Sequence, residues 1–343
     1  MKHKGKKIIH VCCALFVLFY LIIPLNKLNN NEKIPLTHEA QSISKENKTN
    51  ANEPKKNPKI ERITLIGVGD IMLARAVQAK MKKMNDFKWP LHLIEPYLKE
   101  ADILFGNLET PIAEKGTESW EGNRFKADPK TIEGLIQVGF DFLSVANNHI
   151  GDQKREGMEN TFRILQENAI EYVGGGFNEE EAHSAKIKII KGLKIGFLGY
   201  TDIGASYTIA KEKQSGIAWA EIDRLKKDIE KSLENTDILI VSFHFGTEYQ
   251  THSNTRQQEL ARASIDSGAD LVIGHHPHLP QEIEYYKNGI IVYSLGNFIF
   301  DQTWSKATMK GLTIKITIEN EKIVDLKEIP IKISSQFQTE LDI

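Results

Sequence analysis

The sequence predicts an α/β fold, a layered sandwich of mixed sheets flanked by helices, with a membrane anchor at its N-terminus. Two observations predict the sandwich. Short runs of branched apolar residues alternate with amphipathic stretches of helical periodicity, and several of these runs are apolar on both faces. Strands of that kind are typical of sheets covered on both sides. The third observation, a basic stub followed by a long apolar run, predicts the anchor.

Residues 1–25 predict a cytoplasmic stub and a single transmembrane helix. Four lysines and no acidic residue occur in the first seven positions, and residues 8–25 are almost entirely apolar. Such a helix is roughly 27 Å long, close to the thickness of the hydrocarbon core of a bilayer. The lysines predict that everything after residue 25 is extracytoplasmic, in a single-pass protein of the cell membrane. A cleaved signal peptide is the alternative, although no small-residue cleavage site follows.

Residues 26–61 predict a disordered extracytoplasmic tether. They are rich in Asn, Lys and Glu, and they contain three prolines with almost no aromatic or branched residues. Such a segment buries too little apolar surface to offset the entropy of ordering it. Residues 62–343 remain for the folded part, which is a suitable length for one large α/β domain.

Charge and cysteine content exclude some functions. The formal net charge is −2, so no bulk positive field favours nucleic acid as a partner. The two cysteines are adjacent, at Cys12 and Cys13, and they can neither cross-link the fold nor complete a thiolate zinc site. A metal ion in the folded part therefore has to be held by oxygen and imidazole ligands.

Strands and helices alternate through most of the folded part. The predicted strands are 62–69, 102–106, 142–146, 194–200, 237–244, 270–274 and 289–295. The predicted helices are 90–100, 129–138, 154–168, 220–233 and 255–267. Residues 311–335 are strand-like without helices and predict an antiparallel tail.

Five of these strands end in residues that suit a divalent metal ion. The turns read GD (69–70), GNLE (106–109), ANNH (146–149), SFHFG (242–246) and GHHPH (274–278). Ligands bind at the carboxyl ends of strands in open α/β sheets, and carboxylate, amide and imidazole groups suit transition metals. Each turn alone is more often a cap or a surface feature, but the five together predict one metal site. Pro277 predicts extended backbone, on which His276 and His278 would share a face.

The motifs resemble those of the calcineurin-like metallophosphoesterase superfamily, and most closely its CapA/PgsA family of poly-γ-glutamate capsule synthesis proteins. The stretches that carry the resemblance are GDIMLAR (69–75), GNLETPI (106–112), ANNHIGD (146–152), GYTD (199–202), SFHFGTEY (242–249), GADLVIGHHPH (268–278) and YSLGNFIFD (293–301). The resemblance implies a metallophosphatase-like sandwich. It also implies three partners: the membrane, other subunits of a poly-γ-glutamate synthase complex, and the anionic polymer.

The resemblance further implies a metal centre of one or two divalent ions (Mn, Fe or Zn). Their ligands would be Asp70, Glu109, Asn148, His244, His276 and His278. His149 stands where phosphoesterases place the histidine that protonates the leaving group. Two positions depart from the superfamily pattern: Met72 replaces a usual ligand histidine, and Glu109 replaces a bridging aspartate.

Several polar residues in or near these motifs are candidates for binding substrate. Arg75, Arg124 and Lys126 could hold an anionic group near the metals, but cations at such positions are more often solvated or structural. The residues retained as candidates are Arg75, Arg124, Asp202, His275 and Asn297.

Three functions stay open from the sequence. The first is an anchored component of poly-γ-glutamate synthesis or export. The second is a metal-dependent phosphoesterase acting on an extracytoplasmic phosphate ester or phosphodiester, with His149 as general acid. The third is a metal-stabilised binding module without turnover. The sequence contains no GxxxxGK[ST] motif, so the ATP-using polymerase is not this chain. The departures at Met72 and Glu109 favour the first function.

Overall fold

The computed structural model of the protein describes residues 61–114 and 124–342. The predicted anchor, and the predicted tether apart from its last residue, lie outside these ranges. Among the described residues, no helix is both long enough and apolar enough to span a bilayer. The domain boundaries at residues 25 and 61 therefore stay predictions.

Sixteen strands and seven α-helices make up the described part of the chain. The strands are β1 (Ile63–Ile71), β2 (Ile103–Leu108), β3 (Phe142–Ser144), β4 (Glu171–Val173), β5 (Gly175–Gly176), β6 (Lys186–Ile190), β7 (Leu193–Thr201), β8 (Gly216–Ile217), β9 (Ile238–His244), β10 (Leu271–His275), β11 (Ile283–Tyr286), β12 (Gly289–Val292), β13 (Asn297–Ile299), β14 (Lys310–Glu319), β15 (Lys322–Ile333) and β16 (Thr339–Leu341). The α-helices are α1 (Arg75–Met84), α2 (Glu95–Leu98), α3 (Ile132–Val138), α4 (Lys154–Glu167), α5 (Glu179–Ala182), α6 (Ile222–Leu233) and α7 (Thr255–Asp266).

Most strands belong to two mixed sheets. The first has the order β16-β15-β14-β1-β2-β3-β4, with β13 also beside β1. Strands β1 to β4 are parallel, whereas β14, β15 and β16 run antiparallel, as predicted for the C-terminal tail. The second sheet has the order β11-β12-β10-β9-β7-β6, with a parallel centre and antiparallel edges. A short pair, β5 and β8, lies apart from both sheets.

The two sheets pack face to face, and helices cover their outer faces. In β1, Leu65 belongs to the core between the sheets, whereas Ile66 packs in the cluster that includes residues of helices α1 to α4. In β9, Ile240 belongs to the same inter-sheet core, and Val241 packs with residues of α6 and α7. Burying each such side chain contributes about 1.5–3 kcal/mol. The strands are apolar on both faces because each face has a layer to pack against.

The predicted strands are all present, but the helices differ in two places. Residues 90–100 form only a 3₁₀ turn, Trp89–Leu91, and the short helix α2, because Pro90 and Pro96 permit helix starts but not a continuous helix. Helix α1 was not predicted, since only two of its ten residues, Val77 and Met81, are buried. A stripe that narrow gives a weak periodic signal.

The sheet topology brings the motif turns to one edge. In the first sheet, Asp70 of β1 is in register with Asn107 of β2, and Asn107 is in register with Ser144 at the end of β3. In the second sheet, His244 of β9 is in register with His275 of β10. Parallel strands in register end together, so the five turns collect at the carboxyl ends of both sheets.

Candidate metal centre

Two overlapping groups of side chains could each hold a metal ion. Asp70, Glu109 and His244 place one ligand atom apiece within 4.8 Å of each other, as do Glu109, His276 and His278. All five side chains are buried. Asn148, which is half-buried, joins them through a contact of 2.9 Å between its Oδ1 and His244 Nε2. The structure therefore brings together all six residues predicted as ligands, with Glu109 common to both groups.

Irregular backbone geometry orients the donor atoms in the turns after β1 and β10. The register of β1 shifts against β2 between Gly67 and Asp70, a bulge that turns the end of the strand. The prediction of extended backbone in the turn after β10 is wrong, because His276 and His278 adopt left-handed φ angles of 98° and 58°. Non-glycine residues are strained in that region, and surrounding contacts must offset the strain. The two imidazoles converge on Glu109 by this tight turn.

The two carboxyl groups lie in opposite electrostatic environments. Burial disfavours ionisation of Asp70, but the rings of His275 and His278 outweigh it and hold the Asp70 pKa well below its usual range. Burial and the negative charge of Asp70 raise the pKa of Glu109 well above its usual range. These shifts favour the anionic form of Asp70 and the neutral form of Glu109, and a bound cation would favour ionisation of Glu109.

Two histidines of the centre, His244 and His276, are held neutral. Burial lowers the pKa of His244 well below its usual range, and nearby His276 acts in the same direction. Burial, assisted by His278, lowers the pKa of His276 to about 3. A neutral imidazole keeps a lone pair for a metal ion, whereas a protonated one has none.

His278 is oriented by the groups at its Nδ1 atom. That atom lies 3.0 Å from Asn297 Oδ1 and 3.2 Å from Asp70 Oδ2, both of which accept hydrogen bonds. With the proton on Nδ1, the lone pair on Nε2 points away from them, and Nε2 lies 3.9 Å from Glu109 Oε1. Orientation of this kind is typical of histidines that bind metals.

Glu109 provides the test of whether a metal ion fits. Both its carboxylate oxygens are fully buried, and neither has a hydrogen-bond partner among the described residues. Leaving a buried polar group unpaired costs about 1–3 kcal/mol, and more for a charged one. A divalent cation between Glu109 and the imidazoles would remove that cost, and the oxygen and nitrogen donors suit Mn, Fe or Zn. The buried cluster is therefore compatible with a divalent metal site.

A bound divalent ion would act as a Lewis acid toward an anionic substrate and lower the pKa of a coordinated water. Met72 adds no ligand, because its side chain packs in the apolar cluster below helices α1 to α4. The first group of donors therefore lacks the histidine that the superfamily pattern usually has at this position.

His149 lies where it could exchange a proton with a bound molecule. Its Nδ1 is 2.8 Å from Asp152 Oδ2, and its Nε2 is 3.8 Å from Glu109 Oε1. The ring stacks on Phe125 at 4.0 Å between centroids. Asp152 accepts the hydrogen bond of the Nδ1–H, so Nε2 is the ring atom that faces Glu109 and could exchange a proton with a bound molecule. Asp152, three residues after His149 in ANNHIGD, was not singled out from the sequence.

Two asparagines beneath the donors were also missed. Asn107 Nδ2 donates to Asp70 Oδ1 at 2.9 Å and lies 3.2 Å from His244 Nδ1. Asn147 Nδ2 donates to the Leu108 carbonyl at 2.9 Å and to Asn107 Oδ1 at 3.2 Å. These amides tie the ends of β1, β2 and β3 together. Both asparagines stand in the motif turns, Asn107 two residues before the predicted ligand Glu109 and Asn147 directly before the predicted ligand Asn148. Their position could therefore have identified them from the sequence.

An open pocket of about 590 Å³ lies over the centre, and we call it the metal pocket. His149, His278, Arg75, Tyr249, Asp301 and Trp304 are among its lining residues. The Arg75 guanidinium is clamped on Asp301, with Nε 3.2 Å from Oδ2, and it lies over the Phe125 ring. Trp304 is 65% exposed and packs edge-on against Tyr249, 4.9 Å between centroids. The pocket thus has a floor of candidate metal ligands and an aromatic wall.

Of the predicted substrate-binding residues, only Arg75 lines the metal pocket. His275 is fully buried with its Nδ1 3.5 Å from Asp70 Oδ1, so it lies behind the centre and not in contact with substrate. Asn297 is also fully buried and orients His278 instead. Asp202 pairs with Arg256 at 3.4 Å, and burial raises its pKa. Arg124 lines a neighbouring pocket. A position at the end of a strand does not by itself show whether a side chain lines the pocket or lies buried behind it.

Fold and site together define a metallophosphatase-like α/β sandwich protein. A solved structure of a hypothetical protein from Thermus thermophilus superposes with a TM-score of 0.51 at 14% identity, over 79% of this chain and 99% of that one. A putative 5′-nucleotidase from Staphylococcus aureus also gives 0.51, at 15% identity, over 81% of this chain and 56% of that one. These similarities show the fold alone.

Sequence comparison identifies the family. The family described as "Bacterial capsule synthesis protein PGA_cap" matches residues 64–302, and the chain belongs to it. The chain is 32% identical over 294 residues to a capsule biosynthesis protein CapA of Bacillus anthracis, covering 83% of this chain and 71% of the relative. It is 33% identical over 248 residues to a PGA biosynthesis protein CapA of Bacillus subtilis, covering 71% and 65%. The family predicted from the motif turns is thus confirmed.

Proposed function

We propose that the protein is a membrane-anchored component of the machinery that synthesises or exports poly-γ-glutamate, and that its extracytoplasmic domain works through a divalent metal centre. The observation that carries this proposal is the donor set itself. Six predicted ligands from five strand ends meet at the floor of an open pocket, in a chain of the capsule synthesis family. The names of the two Bacillus relatives support the assignment to capsule or PGA biosynthesis.

Anchoring is proposed from the sequence of residues 1–25 and has its own test. Protease added to intact protoplasts should remove the folded domain, whereas a cytoplasmic marker protein should survive. Protection of the domain in intact protoplasts, with digestion after lysis, would contradict the proposed topology.

In the proposed role the centre binds carboxylates of the growing or exported polymer. The anionic groups would lie on the metal ions, with Arg75 at the side and the aromatic wall of Tyr249 and Trp304 against the aliphatic part of the chain. The ions supply the positive charge that the protein itself provides only through Arg75, which Asp301 already neutralises in part. Other subunits of the synthase complex would supply the activated glutamate.

The role is tested by polymer output in cells. His276→Asn should abolish production of anionic polymer, because it removes a donor from the group that contains Glu109 and His278. His252→Asn is the matched control, since that histidine has an 87% exposed side chain remote from the donors. Normal polymer output from His276→Asn, at equal protein level in the membrane, would overturn the proposal.

Phosphoester hydrolysis is the second candidate, and the pairing of His149 with Asp152 favours it. A proton donor directed at a metal-binding group is what departure of an alkoxide requires. If the protein is a hydrolase, His149→Ala should lower the hydrolysis of a dialkyl phosphodiester, whose departing alkoxide needs a proton, by about 10²–10⁴-fold while metal content stays unchanged. Robust metal-dependent hydrolysis lost in His149→Ala, with no variant affecting polymer output, would establish this candidate in place of the first.

A further inference from the structure

A second pocket of about 480 Å³ lies beside the metal pocket, and His149 and Asp152 form the boundary between them. His149 lines the metal pocket, whereas Asp152, which contacts the Nδ1 atom of His149, lines the second one. A single imidazole ring therefore separates the second pocket from Glu109. The lining includes four cationic side chains, for which we name it the basic pocket: Arg124, Lys154, Arg155 and Arg163.

Among the described residues, three of these cations have no carboxylate partner. Arg124 and Lys154 form no side-chain hydrogen bond or ion pair with any other described residue. Arg155 donates to neutral oxygens only, the Tyr207 carbonyl at 2.6 Å and Ser215 Oγ at 3.4 Å. Arg163 is different, since it pairs with Glu159 at 3.0 Å.

The carboxylates of the basic pocket do not cancel this charge. Asp152 accepts hydrogen bonds from the Phe125 amide at 2.6 Å and from His149. Glu114 and Glu156 line the pocket, but no nitrogen of its cations lies within ion-pair distance of them in the described part of the chain. Positive side chains held apart from nearby acids leave room for an anionic ligand between them.

We propose that the basic pocket binds the side carboxylates of an anionic polypeptide whose terminal residue occupies the metal pocket. This inference rests on the proposed function and adds the part of the polymer that the site recognises. Guanidinium groups match carboxylates with paired hydrogen bonds, and lysine adds a flexible point charge. A chain crossing the boundary at His149 would enter the pocket that Arg124 and Lys154 line.

The consequence is recognition of chain length. We expect a single glutamate, which has only two carboxylates, to be held by the metal centre alone. A longer chain engages the metal centre and the basic pocket together, and the second contact is then intramolecular, which raises the affinity. The two pockets together thus favour polymer over free glutamate.

The test is the affinity of the manganese-loaded full-length protein, in detergent, for γ-linked glutamate oligomers of one to eight residues, measured by calorimetry. Affinity should rise by about tenfold or more from monomer to octamer, since each exposed charge contact is worth up to about fivefold. Arg124→Gln and Lys154→Gln should each weaken octamer binding about threefold and leave monomer binding unchanged. Lys226→Gln, on the outer face of α6, is the control.

Removing the charge of an acidic residue in the basic pocket should change the octamer affinity in the opposite direction. Glu156→Gln should strengthen octamer binding, because it removes a like charge from the path of the carboxylates. A structural disturbance of the pocket would weaken binding in Arg124→Gln, Lys154→Gln and Glu156→Gln alike. Opposite shifts at similar thermal stability therefore support the inference, and equal shifts overturn it.

Other results separate this inference from the proposed function. Affinity independent of oligomer length, with polymer output still abolished by His276→Asn, overturns the basic pocket and leaves the function standing. Length-dependent affinity with normal output from His276→Asn overturns the function and supports the pocket. Tighter binding of linear polyphosphate than of glutamate oligomers of equal charge, lost in Arg124→Gln, assigns the pocket to phosphates and overturns the inference.

Discussion

Acid should destabilise the metal-free protein through His276. In the folded chain the pKa of this buried imidazole is about 3, against about 6.5 in an unfolded chain. Since the folded pKa is the lower one, the unfolded state binds the additional proton, and the free energy of unfolding falls as the pH drops below about 6.5. Between pH 8 and pH 5 this single group removes about 2 kcal/mol of stability.

The size of this loss makes it measurable. Domains are stable by about 5–15 kcal/mol, so a change of about 2 kcal/mol shifts the denaturant midpoint clearly. Urea unfolding of the full-length protein in detergent with EDTA, followed at pH 8 and pH 5, gives the loss for the wild type. Other buried carboxyl groups also titrate, so the same pair of measurements on His276→Gln isolates the contribution of the imidazole.

The stability gap between wild type and His276→Gln should shrink by about 2 kcal/mol from pH 8 to pH 5. His252→Gln, on the surface, controls for the loss of a histidine. An unchanged gap would refute the reasoning, because it would mean that His276 takes up its proton equally in both states. With manganese present, the same protonation competes with the metal, so metal affinity should also fall toward pH 5.

Two further predictions concern the support of the donors. Gly69→Ala should cost about 3 kcal/mol of stability, because a Cβ at that position would lie 2.0 Å from the Gly296 carbonyl oxygen. Gly192→Ala, at φ 86° with no atom within 4 Å, should cost only about 1 kcal/mol, and similar urea midpoints for both would contradict the clash. Asn107→Leu removes the amide bonded to Asp70 and should weaken metal binding by about 10–100-fold in calorimetry. Unchanged affinity would mean that Asp70 needs no such support.

The layered fold could be predicted because its signals are local. Alternating apolar runs and the strand-like tail follow directly from residues that pack on both faces of a sheet. Helix α1 could not be predicted in the same way, since only two of its side chains, Val77 and Met81, are buried and fix it by packing. Tertiary contact decides such an element, and a single sequence does not display it.

The convergence of the candidate site could be predicted as well, for a topological reason. Residues at the carboxyl ends of parallel strands must meet at one edge, so the residue types at those ends were sufficient to group the donors. The direction of each side chain could not be predicted. His275 and His276 are neighbours with the same chemistry, yet the left-handed φ of His276 turns one into the site and leaves the other buried behind Asp70. Backbone strain of that kind has no signature in the sequence.

Anion binding should depend on prior metal binding. Without a metal ion, the described residues of the centre and the metal pocket include one permanent cation, Arg75, and five carboxyl groups. The carboxyl groups are those of Asp70, Glu109, Asp152, Glu248 and Asp301. At an effective dielectric of about 20, one divalent ion about 8 Å from a carboxylate contributes about 4 kcal/mol of attraction. Glutamate oligomers should therefore bind at least about 100-fold more tightly with manganese than with EDTA, and added salt should reduce the difference. Equal affinity in EDTA would show that the cations of the chain capture the polymer without the metal centre.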